Sequence, residues 1–229
     1  MVGVEFSLLF LALPVGAWCV GASVVASNYS DLRDKGLPAV KVGSTGGRLL
    51  IYCVLTATHA VFGLVLWLQV ASIEERYGAL VGNARSALIW VGVAFAWAAV
   101  LAIVSQASTT RLRLSQFVGE GFGRALILIV IWNNLTIFGM VVALLALGRI
   151  STLLRAASDL TAGQTHQITL AALGFALGAC GALIGVVWSA KVRDLSTVKD
   201  FVRALKLTDI GIAPLLIGLL WAILTLGAM

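Results

Sequence analysis

The chain has 229 residues, 60% of them hydrophobic and 11% charged, with a formal net charge of +6 and a mean hydropathy of +1.03. That balance excludes a soluble domain of this size, because too few polar groups remain to cover its surface. It fits an integral membrane protein, whose apolar side chains face lipid instead of water.

Six runs are long enough to cross a hydrocarbon core of roughly 30 Å at about 1.5 Å per residue. They lie near 5–27, 49–70, 86–107, 125–147, 168–189 and 210–228. The first lacks the basic leader of a signal peptide and begins at Glu5, so it is predicted to be retained. Pro14 and Pro214 fall inside the first and last runs, where lipid-embedded helices accept kinks if neighbours satisfy the freed carbonyls. Cys19, Cys53 and Cys180 also lie inside runs, without a Cys-x-x-Cys pair, and are predicted to pack as buried apolar groups. Glu74 and Glu75 form an acidic pair just past the second run, predicted to be solvated.

The runs repeat. Gly47-Arg48 opens an apolar stretch closing on Phe62-Gly63; 76 residues on, Gly123-Arg124 opens one closing on Phe138-Gly139. A third copy, 79 residues further, runs from Arg203 to Gly218, and fourteen residues separate Arg from Gly in every copy. A fixed period means one structural unit used again. Here the unit is two crossings, so the fold class is an all-α membrane protein of six transmembrane helices in three tandem hairpins. Their boundaries fall at 1–76, 77–152 and 153–229.

Twelve of the sixteen Lys and Arg lie in the loops inside the hairpins, among them Arg48, Arg111, Arg113, Arg124, Lys191, Arg193 and Arg203. Arg76, Arg85, Arg149 and Arg155 lie on the other side. The positive-inside rule then places the hairpin loops in the cytoplasm and both termini outside. Dispersed basic residues without aromatic interleaving argue against nucleic-acid binding. They leave two uses open: headgroup anchoring, or docking of a cytoplasmic protein.

The odd runs are rich in small residues. The fifth carries Gly174, Gly178, Gly181 and Gly185, a spacing that lets helix backbones approach closely. The even runs are bulkier. Repeated three times, that asymmetry predicts an arc or a ring, with an ordinary six-helix bundle as the alternative.

Polar residues inside the runs are few. Thr56, Thr58 and His59 interrupt the second, and Asn133, Asn134 and Thr136 the fourth. His59 is the one titratable side chain deep in a run; an intramembrane ionisable group is a candidate functional site, and a neutral histidine bonded across helices is the alternative. His166 lies at the outer edge of the fifth run and carries no such signal. The sequence holds no phosphate loop, nucleophile motif or clustered metal ligands, so no catalytic residue, metal or cofactor is predicted.

Each hairpin's second half, with Arg at its cytoplasmic end and an aromatic-Gly or Ile-Gly pair below the middle, resembles the proteolipid ring subunit of vacuolar-type and archaeal-type rotary ATPases. In that family the second helix carries a stretch like Pro-Glu-Thr-Gln-Ala-Ile-Tyr-Gly, whose Glu binds the transported ion. The matching stretches here are Thr56 to Gly63, Trp132 to Gly139 and Gly211 to Gly218. The resemblance implies membership of a homo- or hetero-oligomeric ring in the lipid bilayer, as a subunit rather than an enzyme in itself. The carboxylate positions, however, hold Ala57, Asn133 and Ile212, and all ten acidic residues lie at run ends or in loops. Asn133 is nine residues past Arg124, hence about 13–14 Å deep, near the midplane. An amide does not gain and lose a proton, so the chain is expected to scaffold a ring without carrying ions itself. The rival expectation is a small polytopic transporter or channel with Thr56, His59, Asn133 and Asn134 along a polar path.

Overall fold

The computed structural model describes residues 4–34, 39–112, 121–192, 195 and 197–229, which are helical with short connections and no strand. Six long helices follow one another. α1 spans 4–34, α2 Ala39–Tyr77, α3 Gly82–Leu112, α4 Phe122–Ala156, α5 Ala162–Ser189 and α6 Val198–Gly227. Five of these are long and apolar enough to cross a membrane, and α1 adds a shorter apolar stretch, Leu8–Val24. Each runs past its predicted crossing at one end or both, because hydropathy marks the hydrocarbon core and not the helix end.

α1 packs on α2, α3 on α4 and α5 on α6, and α3 packs as closely on α1 and α5 as on α4. They stand side by side: α3 lies between α1 and α5, and α4 between α2 and α6. The odd helices thus make one row and the even helices a second. Two thirds of the apolar window of α3 is buried, against 28% for α2 and for α6, as expected for a middle hairpin covered on both sides. The large side chains left uncovered, such as Leu50, Val54 and Leu68 on α2 and Ile217, Leu220 and Leu224 on α6, suit contact with acyl chains.

The sequence repeat has a structural counterpart. Gly63, Gly139 and Gly218 each meet the odd helix of their own hairpin, and Gly139 also meets the Phe175 ring of α5. A Cβ on Gly63 would collide with the Phe10 carbonyl of α1; on Gly139 it would lie 3.2 Å from Ala98 of α3; on Gly218, 2.8 Å from the Gly174 carbonyl of α5. Pro14 explains the first case. It has no N–H for the carbonyl four residues back, which is that of Phe10. The helix widens into a π-turn over Leu8–Ala12, and Gly63 makes room for the freed oxygen. Pro214 sits in a similar hollow over Gly181.

The four glycines of α5 also face α6 rather than a neighbouring odd helix. Gly178 meets Pro214 and Gly218, Gly181 meets Pro214 and Gly211, Gly185 meets Gly211, and Gly174 meets the Trp221 ring. The stripe is therefore consumed inside hairpin three.

On the side away from the basic loops, the turn after α2 uses Gly78 and Gly82 at positive φ, where a side chain would be strained. The Asp159 carboxylate, from the α4–α5 turn, accepts from the backbone N–H groups of Asn83 (3.0 Å) and Ala84 (2.9 Å) at the start of α3 and from its own neighbour Leu160 (2.8 Å). Partial burial pushes this carboxyl up; the three N–H groups outweigh it and hold Asp159 below the usual carboxylate range. The Asn83 side chain donates to the Leu160 carbonyl at 2.8 Å and completes the latch.

Two sequence expectations are corrected. Glu74 is buried, with 9% exposure, because it shares the helix face of Leu66, Val70 and Ile73; Glu75, a hundred degrees further round, is exposed. Cys19 is exposed on α1 rather than packed inside, while Cys53 and Cys180 are half-buried; all three are free.

Candidate functional site

The polar residues of the even helices are joined by one that the sequence reading passed over, Gln106 of α3. His59 Nε2 and Gln106 Oε1 are 3.1 Å apart, and Gln106 Nε2 donates to Asn133 Oδ1 at 2.5 Å and, more weakly, to the Ile129 carbonyl at 3.4 Å. Gln106 oxygen can only accept, so the imidazole carries its proton on Nε2 in this arrangement. The chain His59–Gln106–Asn133 ties α2 to α3 and α4, and hence hairpin one to hairpin two. His59 and Gln106 are fully buried and Asn133 is 8% exposed.

Local sequence explains how α4 presents Asn133. The helix breaks for one residue at Trp132, whose N–H reaches back three residues to the Ile129 carbonyl, and Leu135 repeats that tight step onto Trp132. Two consecutive asparagines weaken the helix here. Trp132 is fully buried, donates its indole N–H to Thr109 Oγ1 of α3 at 3.0 Å, and covers Gly185 of α5. Trp132 thereby wedges hairpin two against hairpin three, while its neighbour Asn133 is joined to hairpin one only through Gln106.

Three buried polar atoms nearby in sequence to this chain have no hydrogen-bond partner: His59 Nδ1, Ser105 Oγ and Thr136 Oγ1. Among the described residues no group of His, Cys, Asp and Glu could hold a metal ion. The junction holds amide and imidazole groups, and among the described residues no carboxylate bonds to any of its three members.

The remaining sequence candidates separate. Thr56 is buried but returns its hydroxyl to the carbonyls of Tyr52 and Cys53, and Thr58 does the same to Leu55. Asn134 is half-buried, as are Ala57 and Ile212 at the other two repeat positions, and His166 is exposed. Of the basic residues, Arg48 of hairpin one lies over the Phe122 ring of hairpin two, 5.0 Å from its centre, and Arg124 of hairpin two donates to the Leu195 carbonyl beside hairpin three. Lys191 lies over Trp188, and Arg203 is exposed. The side chain of Arg111, and Arg113 and Arg193 altogether, lie outside the described residues.

Gln106 was legible only in hindsight. It stands in the run Ser105-Gln106-Ala107-Ser108-Thr109-Thr110, at the predicted edge of the third crossing, where polar residues ordinarily meet headgroups. The helix continues to Leu112, and Ser105, Gln106, Thr109 and Thr110 are buried instead. No family model, curated protein or solved structure matches the chain.

Proposed function

We propose that the chain is a ring-forming membrane subunit of the rotary-ATPase proteolipid type, supplying three hairpins as scaffold and no ion-binding carboxylate. The observation that carries this reading is the double row, odd helices against even, with Gly63, Gly139 and Gly218 each meeting the odd helix of its own hairpin and Gly139 also that of the next. Such a row can be extended at both ends by further hairpins, as a ring requires. Asn133 stands at the resemblance's ion position in neutral form, hydrogen-bonded to Gln106 like a carboxyl that never loses its proton. Arg48 and Arg124 are engaged by the neighbouring hairpin; Arg203 and the exposed Lys206 remain as the anchoring or docking face for a cytoplasmic protein.

The test is the mass of the purified particle in mild detergent. A ring gives an assembly of several 24.0 kDa chains; a single chain in its micelle would sink the reading. Treatment with a carbodiimide should leave the fourth run, 125–147, unlabelled, and Asn133→Glu should create one reactive carboxyl there.

A second reading, a small transporter, is favoured by one observation: the buried chain His59–Gln106–Asn133 lies beside polar atoms without partners. Polar groups at mid-membrane are where transporters bind their cargo. His59→Leu distinguishes the two, since a transporter loses flux while a scaffold keeps its assembled mass.

A further inference from the structure

On the side of the membrane away from the basic loops, a groove of about 440 Å³ runs between α4 and α6. Its walls include Leu144, Leu145 and Ile223, and its floor is Gly148, above which a Cβ would meet nothing within 4 Å. Arg149 stands at its head. The guanidinium is held in place by two carbonyls at the end of α6, Nε donating to Leu226 at 3.1 Å and a terminal nitrogen to Gly227 at 3.3 Å. A guanidinium has five N–H donors, so at least two remain for a ligand. No acidic side chain among the described residues pairs with it.

Arg149 lies seven residues before the end of α4 at Ala156, about 10 Å along the helix axis, within reach of the headgroup layer for a long side chain. The groove thus offers a fixed cation at the interface and an apolar trough leading toward the bilayer centre. A solute from water would match only the first. An acyl chain would match only the second.

We propose that this groove binds a membrane phospholipid, with the phosphodiester on Arg149 and an acyl chain over Gly148 between α4 and α6. The charge is complementary and the phosphate is recognised through two parallel N–H donors, the geometry at which Arg excels. The lipid fills the seam between neighbouring even helices, where hairpins two and three face the bilayer. A narrower groove of about 190 Å³ continues on the other side of Gly148, between α2 and α4, with Arg76 and Ser72 at its edge. Gly148 is therefore the shared floor of both seams on this surface.

The experiment uses the full chain, purified and stripped of lipid, and counts bound molecules by native mass spectrometry. Phosphatidylglycerol, a diacylglycerol of the same chains, and inorganic phosphate are titrated separately. Phosphatidylglycerol is expected to bind roughly tenfold more tightly than the diacylglycerol, the scale of one charge-assisted recognition, and inorganic phosphate not to be retained. Arg149→Gln should remove that tenfold preference while keeping a donor for the α6 carbonyls. Gly148→Leu fills the trough without touching the charge or the helix packing, and should abolish retention of both lipids. Equal binding of phosphatidylglycerol and diacylglycerol by the native chain would overturn the proposal. So would unchanged binding by the Gly148→Leu protein, or retention of phosphate alone with the affinity of the lipid.

Discussion

Hairpin three and the junction of hairpins one and two are built from the same repeat but are fastened by opposite means. Within hairpin three, α5 and α6 meet backbone to backbone: Gly178, Gly181 and Gly185 face Gly211, Pro214 and Gly218. At the first junction, side chains of His59, Gln106 and Asn133 make the connection. In lipid there is no water to expel, so helices associate through close packing or through polar groups that would otherwise face hydrocarbon. One chain uses both. The glycine seam demands shape over several turns, whereas the polar junction depends on three side chains being paired.

The largest effect is expected where shape is unforgiving. Gly211→Val places a Cβ 2.7 Å from the Gly185 Cα and 2.8 Å from the Gly181 carbonyl, and backbone cannot step aside. It should cost about 3 kcal/mol or more, read as a shift in the reversible unfolding of the protein in mixed detergent. A cost near zero would mean that α5 and α6 do not touch at these glycines.

Next comes Gln106→Leu, which strands both the His59 Nε2 proton and the Asn133 oxygen in an apolar interior. The expected loss is about 1–3 kcal/mol. The sharper measurement is the triple replacement His59→Leu, Gln106→Leu and Asn133→Leu, which strands nothing and should recover much of that loss. If the triple variant is worse than the single one, the junction does more than hold helices.

The smallest effect is expected at the Asp159 latch. Asp159→Ala removes the acceptor at the start of α3 and should cost about 1 kcal/mol. Because the folded carboxyl titrates below its ordinary value of 3.8, the latch contributes fully above that value. Its contribution is lost as pH falls through the lower folded value. Stability of the native protein should therefore drop more steeply in acid than that of Asp159→Ala, and parallel pH curves would remove the latch from the account.

Much of the fold was legible because lipid imposes simple rules. A long apolar run must be a helix, since every backbone group has to be satisfied inside it. The repeat of Arg and Gly at one spacing marks equivalent places in the chain, and Gly63, Gly139 and Gly218 each meet the preceding odd helix. Asn133 and His59 stood out as polar letters in apolar text. Gln106 did not, because the end of a crossing is where polar residues are ordinary. Glu74 was misread for a related reason, since its neighbour Glu75 does face outward and one helix residue is a hundred degrees of rotation.

The amino-acid order alone thus determined the solvent, the succession of about six helices and the lack of an acid at mid-membrane. Each follows from what hydrocarbon permits along a single helix. Which face of each helix meets which neighbour was decided only in three dimensions. Side chains 47 and 27 residues apart come within hydrogen-bond range only in the packed molecule, His59 with Gln106 where hairpins one and two stand side by side and Gln106 with Asn133 where α3 packs on α4. The same holds for the groove at Arg149, whose walls come from helices that meet nowhere in the sequence.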